Sequence, residues 1–238
     1  MNSSASPVLM WCDVEVINNR YSLPSILETL VASASTLVWD FDGVVADTEP
    51  VQKQAFTEIL KRRGITPAPD YFKQFIGKSE RDIWNVLAER FNISNSIDEL
   101  IRERSSYYLQ RAQRLRPAPF VKPMLDAARE NGGTSIIVSS GSYRHIGALL
   151  EAWALRDRFA SVLCSGSPDV ESPSPKRELL QGVLARSSPP VLLIEDNEEY
   201  LTIGSRAGAT TVAVGHSLNL IDASQKWDFV LMQPTDIG

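Results

Sequence analysis

TLVWDFDGVVADTEP, residues 36–50, sets a short apolar run directly before two aspartates one residue apart. On an extended chain Asp40 and Asp42 project to the same side, and the carboxyl end of a parallel strand is where α/β proteins bind ligands. Two like charges so close call for a cation. Mg²⁺ suits an all-oxygen site and takes waters and a substrate phosphate as further ligands. Zn²⁺ would want His or Cys, and this stretch has neither. Gly43 lets the chain break sharply and its backbone approach a phosphate. Short acidic turns with Gly also occur in solvated loops, but the apolar run ahead of this one argues for the end of a buried strand. The pattern is that of a metal-dependent phosphoryl-transfer site.

Outward from this strand, residues 50–64 read as a helix opened by Pro50 and stopped by Gly64, followed by a Pro-containing loop. Further helices are predicted over 79–91 and 96–115, the second opened by a capping box of Ser96 and Glu99. From about residue 123 the pattern alternates: helix 123–131, strand 135–139, helix 142–153, strand 161–164, helix 176–186, strand 191–195, helix 198–207, strand 210–214 and strand 229–232. Such alternation predicts an α/β fold, a doubly wound, Rossmann-like parallel sheet. The first strand, at 36–40, is separated from the others by an all-helical insertion that would roof the site. The domains expected are an extension at 1–35, a core of 36–49 with 117–238, and a cap at 50–116. Within the extension, 8–17 reads as a strand or hairpin arm and 23–34 as a short helix, without an assignable role.

The 238 residues suffice for one large core or two modest ones. A net charge of −5 without a Lys/Arg block excludes an extended nucleic-acid surface. The most basic stretch, 102–116, reads as a solvated helix face, and that reading includes Arg102 and Arg104; the alternative for these two is contact with a second anionic group of a substrate. Cys12 and Cys164 are read as reduced thiols. With no basic n-region or long apolar run, neither a signal peptide nor a membrane span is expected, and the expected location is cytoplasmic. Oligomeric state has no signal in the sequence.

If the strands are parallel, the residues at their ends converge: Asp40 and Asp42, then Ser139, then Glu195 and Asp196. In IIVSSGS a hydroxyl ends a buried strand, and Ser140 and Gly141 lead into a helix whose free N–H groups suit phosphate oxygens; an ordinary Ser cap is the alternative. VLLIEDN ends five apolar residues on two acids, which asks for a cation or a base nearby. Lys176 opens a helix, the unfavourable end for a cation. Among carboxylates and phosphate it would balance charge.

Taken in order, DFDGVVADTEP, IIVSSGS, Lys176 and LLIEDN resemble the four motifs of the haloacid dehalogenase-like (HAD) hydrolase superfamily, over roughly residues 36–233. The helical insertion resembles the small cap of the branch holding β-phosphoglucomutase, phosphoglycolate phosphatase and sugar-phosphate phosphatases. The resemblance implies Asp40 as nucleophile, forming an aspartyl-phosphate, and Asp42 as general acid and then general base. It implies Mg²⁺ held by the Asp40 side chain, the Asp42 backbone carbonyl and Asp196, with Glu195 bound directly or through water. Ser139 and the amides after it, those of Ser140 and Gly141, would position phosphoryl oxygens that Lys176 stabilises. The partner implied is a small phosphorylated metabolite.

Some residues depart from the pattern. ESPSPKRELL also permits Ser172 in the place of the lysine, although Leu179, Leu180, Val183 and Leu184 follow Lys176 at helical spacing. Tyr200 stands where relatives usually place Gly or Asp. Gln52 stands where the mutase branch carries His, and Glu80 where its cap loop carries Arg, which favours hydrolysis over a β-phosphoglucomutase-like isomerisation. A phosphonoacetaldehyde hydrolase would need a cap lysine, for which Lys78 is off its spacing. A non-catalytic binding module that keeps the fold would be expected to lose the acids present here.

Overall fold

A computed structural model of the chain describes residues 8–10, 15–17, 20–22, 24–68, 70–75, 79–170, 174–215 and 227–232. Ser172, Lys78, Cys12 and His216 lie outside these residues. The chain divides into two compact units, residues 1–47 with 116–238, and residues 48–115.

Short apolar strands rich in Val, Ile and Leu bury both faces only when paired side by side and covered by helices. In the first unit seven strands do so, every pair parallel. Their order is β1 (Val8–Met10), β9 (Phe229–Met232), β8 (Thr210–Gly215), β7 (Val191–Glu195), β4 (Thr36–Trp39), β5 (Thr134–Ser142) and β6 (Ser161–Ser165). A separate antiparallel pair joins β2 (Glu15–Ile17) to β3 (Arg20–Ser22). β4 and β7 are buried at every residue, as central strands must be. Trp39 is level with Ile137 of β5 on one side and Ile194 of β7 on the other. Strands β5 and β6 follow on one side of β4 and β7 and β8 on the other, so the end of β4 is the switch point of the sheet, where a crevice opens.

The N-terminal stretch, without a role in the sequence, has one in the sheet. β1 adds an edge strand beside β9. Helix α1 (Ser25–Ser33) buries Leu27 and Val31 and packs against α5 (Val121–Glu130). The expected strand at 135–139 runs on to Ser142. Its apolar signal stops at Val138, but after a register shift the backbone pairs again, Ser142 with Ser165, a continuation side-chain patterning does not report.

The second unit holds α2 (Glu49–Lys61), a 3₁₀ turn over Tyr71–Phe75, α3 (Glu80–Phe91) and α4 (Ile97–Ala112). Pro50 sits in the first turn of α2, where its missing N–H costs nothing. The capping box of α4 is complete: Ser96 Oγ accepts from Glu99 N at 3.3 Å, and Glu99 Oε2 accepts from Ser96 N at 3.0 Å. Arg104 corrects the reading of a solvated face, because its side chain is only 3% exposed. It falls at four-residue spacing on the stripe of Leu100, Tyr108 and Ala112, and that stripe is the buried one. Burial is compensated by pairing: Nη1 lies 3.1 Å from Glu80 Oε2, Nη2 donates to Gln52 Oε1, and the guanidinium stands 4.2 Å from the Phe56 ring centroid. Among the described residues no helix is long and apolar enough to cross a membrane.

Candidate active site at the carboxyl ends of the central strands

Four of the residues picked from the sequence meet where β4 and β7 end. Asp40 continues the ladder past β4, its N–H donating to Ile194 O at 2.9 Å, so its position is set by backbone pairing. Glu195 is the last residue of β7 and almost wholly buried. Lys176 opens α7 (Lys176–Arg186), and its Nζ reaches Asp40 Oδ1 at 2.8 Å and Glu195 Oε2 at 2.7 Å. One oxygen each from Asp40, Glu195 and Asp196 lie within 4.8 Å of one another. The other Glu195 oxygen, Oε1, accepts from the N–H groups of Asp196 and Asn197, at 3.2 and 3.1 Å.

The loop after Asp40 folds tightly back. Gly43 takes φ +82°, a conformation costly for any residue with a Cβ. Its N–H donates to Ala46 O at 2.8 Å, and the Val45 and Ala46 N–H groups return to Phe41 O. Val44, Val45 and Ala46 are fully buried, which anchors the loop. The Asp42 carboxylate approaches Gly141: a Cβ built there would stand 2.9 Å from Asp42 Oδ2 and 3.2 Å from Ser139 Oγ. Ser139 is buried, and its Oγ accepts from Gly141 N at 2.9 Å, which directs the hydroxyl hydrogen elsewhere as a donor. Helix α6 (Tyr143–Ala152) starts two residues after Gly141, so that N–H serves Ser139 rather than a helix terminus. Ser140 is exposed.

Burial and crowding shape the charges. Burial raises the Asp40 carboxyl most, Lys176 opposes this, Asp196 and Asp42 add to it, and the result is about 6. Glu195 is pushed well above the usual carboxylate range by burial and then by the charge of Asp40. Burial works against the Lys176 ammonium, but Asp40 and Glu195 outweigh it and hold the lysine charged. Cys164, a buried free thiol on β6, is pushed up to about 12 by burial and then by Asp42.

An all-carboxylate donor set fits a hard divalent cation such as Mg²⁺, and no His or Cys belongs to the set. The consequence for pH has a definite sign. A carboxyl raised on folding contributes stability below its unfolded pKa, and that contribution is lost as pH rises through the folded value. The Asp40 contribution to the metal-free protein is therefore lost between about pH 4 and about pH 6. Mg²⁺ needs the ionised carboxylates, so the rise in Tm on adding it should be larger at about pH 7 than at about pH 5 by roughly 2 °C or more. Thermal melts with Mg²⁺ and with EDTA at both pH values check this, and an equal rise at both would contradict it.

Two features of the site escaped the sequence reading. Tyr200 of α8 (Glu198–Arg206) puts its ring centroid 4.4 Å from Nζ. The Asn197 amide bonds Glu195. The chain shows Tyr200 only as an unusual residue and has no signal for a backbone amide; the Tyr200 contact depends on how α8 packs beside α7.

Comparison with known proteins agrees with this geometry. YhcW of Bacillus subtilis is 26% identical over 180 residues, 75% of this chain and 82% of that protein. A Thermotoga maritima protein named phosphorylated carbohydrates phosphatase is 24% identical over 189 residues, 77% of this chain and 86% of its own. The crystal structure of CbbY from Rhodobacter sphaeroides in complex with phosphate shares the fold with a TM-score of 0.66 at 16% identity, covering 83% of this chain and 93% of that one. The family model described as haloacid dehalogenase-like hydrolase matches residues 37–214, from the strand that carries Asp40 to the strand that follows Asp196, and the chain belongs to that family.

Proposed function

We propose that the chain is a Mg²⁺-dependent phosphatase that hydrolyses a small, sugar-phosphate-like phosphomonoester through an aspartyl-phosphate on Asp40. The observation that carries the reading is the buried Lys176 bonded at once to Asp40 and Glu195 beside Asp196. Structural carboxylates are seldom packed this way, whereas a nucleophile facing an anionic substrate needs such a cation. Asp40 attacks phosphorus in line and releases the alcohol. Asp42, held against Gly141, gives a proton to the leaving oxygen and then takes one from the hydrolytic water. Ser139 donates its hydroxyl to a phosphoryl oxygen, and Lys176 balances the charge there. The Asp40 side chain, the Asp42 carbonyl and Asp196 would hold Mg²⁺, which would supply further stabilisation of phosphoryl charge. Both oxygens of Glu195 are engaged, by Lys176 and by two amides, which favours contact through water for this residue. The division into extension, core and cap at residues 35, 49 and 116 belongs to the same reading.

The name of the Thermotoga relative supports a phosphorylated carbohydrate as substrate class. Gln52, in the place of the mutase histidine, accepts from Arg104 and has no titratable group to offer, which supports hydrolysis. Phosphate release from a panel of small phosphomonoesters with Mg²⁺ tests the reading, with ³¹P NMR watching for migration. Release supports it; migration without release means a mutase, and neither means a binding module. Gly141→Ala should lower kcat by about 10- to 100-fold, because the new methyl displaces the Asp42 carboxylate, while Tm stays near the wild-type value. Wild-type kcat in that variant would show that Asp42 does not work from this position.

A further inference from the structure

The Lys176 ammonium has a third neighbour besides its two carboxylates. The Tyr200 ring centroid lies 4.4 Å from Nζ, within the range in which the negative face of an aromatic ring attracts a cation. Solvent competes weakly for this contact, because the lysine side chain is 4% exposed. The ring is itself held in place: Tyr200 stands in the first turn of α8 and packs on the same apolar cluster as Leu179 and Leu184 of α7. Beside it, Arg177 Nη2 meets Glu199 Oε1 at 2.6 Å, a second tie between the starts of the two helices. That exposed pair contributes little energy, but it repeats the alignment, consecutive residues of α7 facing consecutive residues of α8.

A lysine side chain has four rotatable carbons and a freely turning head. Two carboxylates alone leave it able to tilt toward either. A ring face narrows that freedom, so the charge stays where both acids share it. We propose that Tyr200 is a positioning residue for the reaction, its ring face fixing the Lys176 ammonium between Asp40 and Glu195, an inference that rests on the phosphatase reading.

The test compares Tyr200→Leu and Tyr200→Phe with the wild type, each with Mg²⁺. Leucine keeps an apolar side chain against the same core cluster but has no π face; phenylalanine keeps the face and loses only the hydroxyl. Tyr200→Leu should lower kcat by about tenfold with KM changed by less than about twofold, while Tyr200→Phe stays within about twofold of the wild type in both. Wild-type kcat in Tyr200→Leu, or an equal loss in both variants, overturns the inference. An independent readout is the ring-current displacement of the Lys176 Cε protons in ¹³C-lysine NMR, expected in the wild type and Tyr200→Phe and absent in Tyr200→Leu. Absence in the wild type overturns the contact while phosphate release still upholds the phosphatase. A wild type that releases no phosphate but shows the displacement keeps the contact and overturns its role in the reaction together with the phosphatase reading.

Discussion

Asp40→Asn should abolish phosphate release, with kcat lower by a factor on the order of 10⁴ or more, because an amide cannot form the proposed acyl-phosphate. The same substitution should make the metal-free protein more stable. Asp40 is buried, and its proton affinity is raised to about 6 even with Lys176 bonded to it, so its ionised form is held at a cost near neutral pH. A neutral side chain of the same shape relieves that cost near neutral pH, while Glu195 still pairs with Lys176. Urea unfolding in EDTA measures it. The opposite directions of activity and stability separate a functional carboxylate from a structural one: a variant that is inactive and also much less stable would mean that Asp40 mainly supports the fold.

Lys176→Met has the second large effect. It removes the cation that meets Asp40 and Glu195 at 2.8 and 2.7 Å and leaves two buried carboxylates facing each other. Breaking a buried pair from one side costs about 3–5 kcal/mol, which for a chain of this size lowers Tm by roughly 10 °C. Without the lysine both carboxyls are raised further, so the deficit should be largest near neutral pH and shrink as pH falls and they protonate. Mg²⁺ should recover part of the lost Tm, because it supplies charge to the same acids. Phosphate release should fall by about a hundredfold or more even at saturating Mg²⁺. A neutral-pH Tm equal to that of the wild type would contradict the placement of Lys176 between the two acids.

The lysine also shows how far residue patterns reach. Its position at the start of a helix is the unfavourable end for a cation, and the leucines that follow at helical spacing argued for it over Ser172. The pairing with Asp40 and Glu195 follows from α7 packing beside β5 and β6, a relation between segments distant in sequence. Arg104 failed in the other direction. Charged residues usually mark the solvated face of a helix, but this one sits on the buried stripe of α4, and Glu80 and Gln52 on two other helices make its burial tolerable. No helical period within residues 102–116 contains that information.

What the chain determined by itself are the features carried by neighbours along it: the buried strands β4 and β7 from their unbroken apolar runs, the capping box of α4, the sharp break at Gly43, and the acids at the strand ends. These follow from local sterics, hydrogen bonding and side-chain period, which act over a few residues. Tertiary structure alone decided that the Asp42 carboxylate lies beside Gly141, that β1 joins the sheet edge beside β9, and that Tyr200 lies against Lys176. Each is a contact between segments far apart in the chain, selected by which faces bury together and which charges must be neutralised once water is gone.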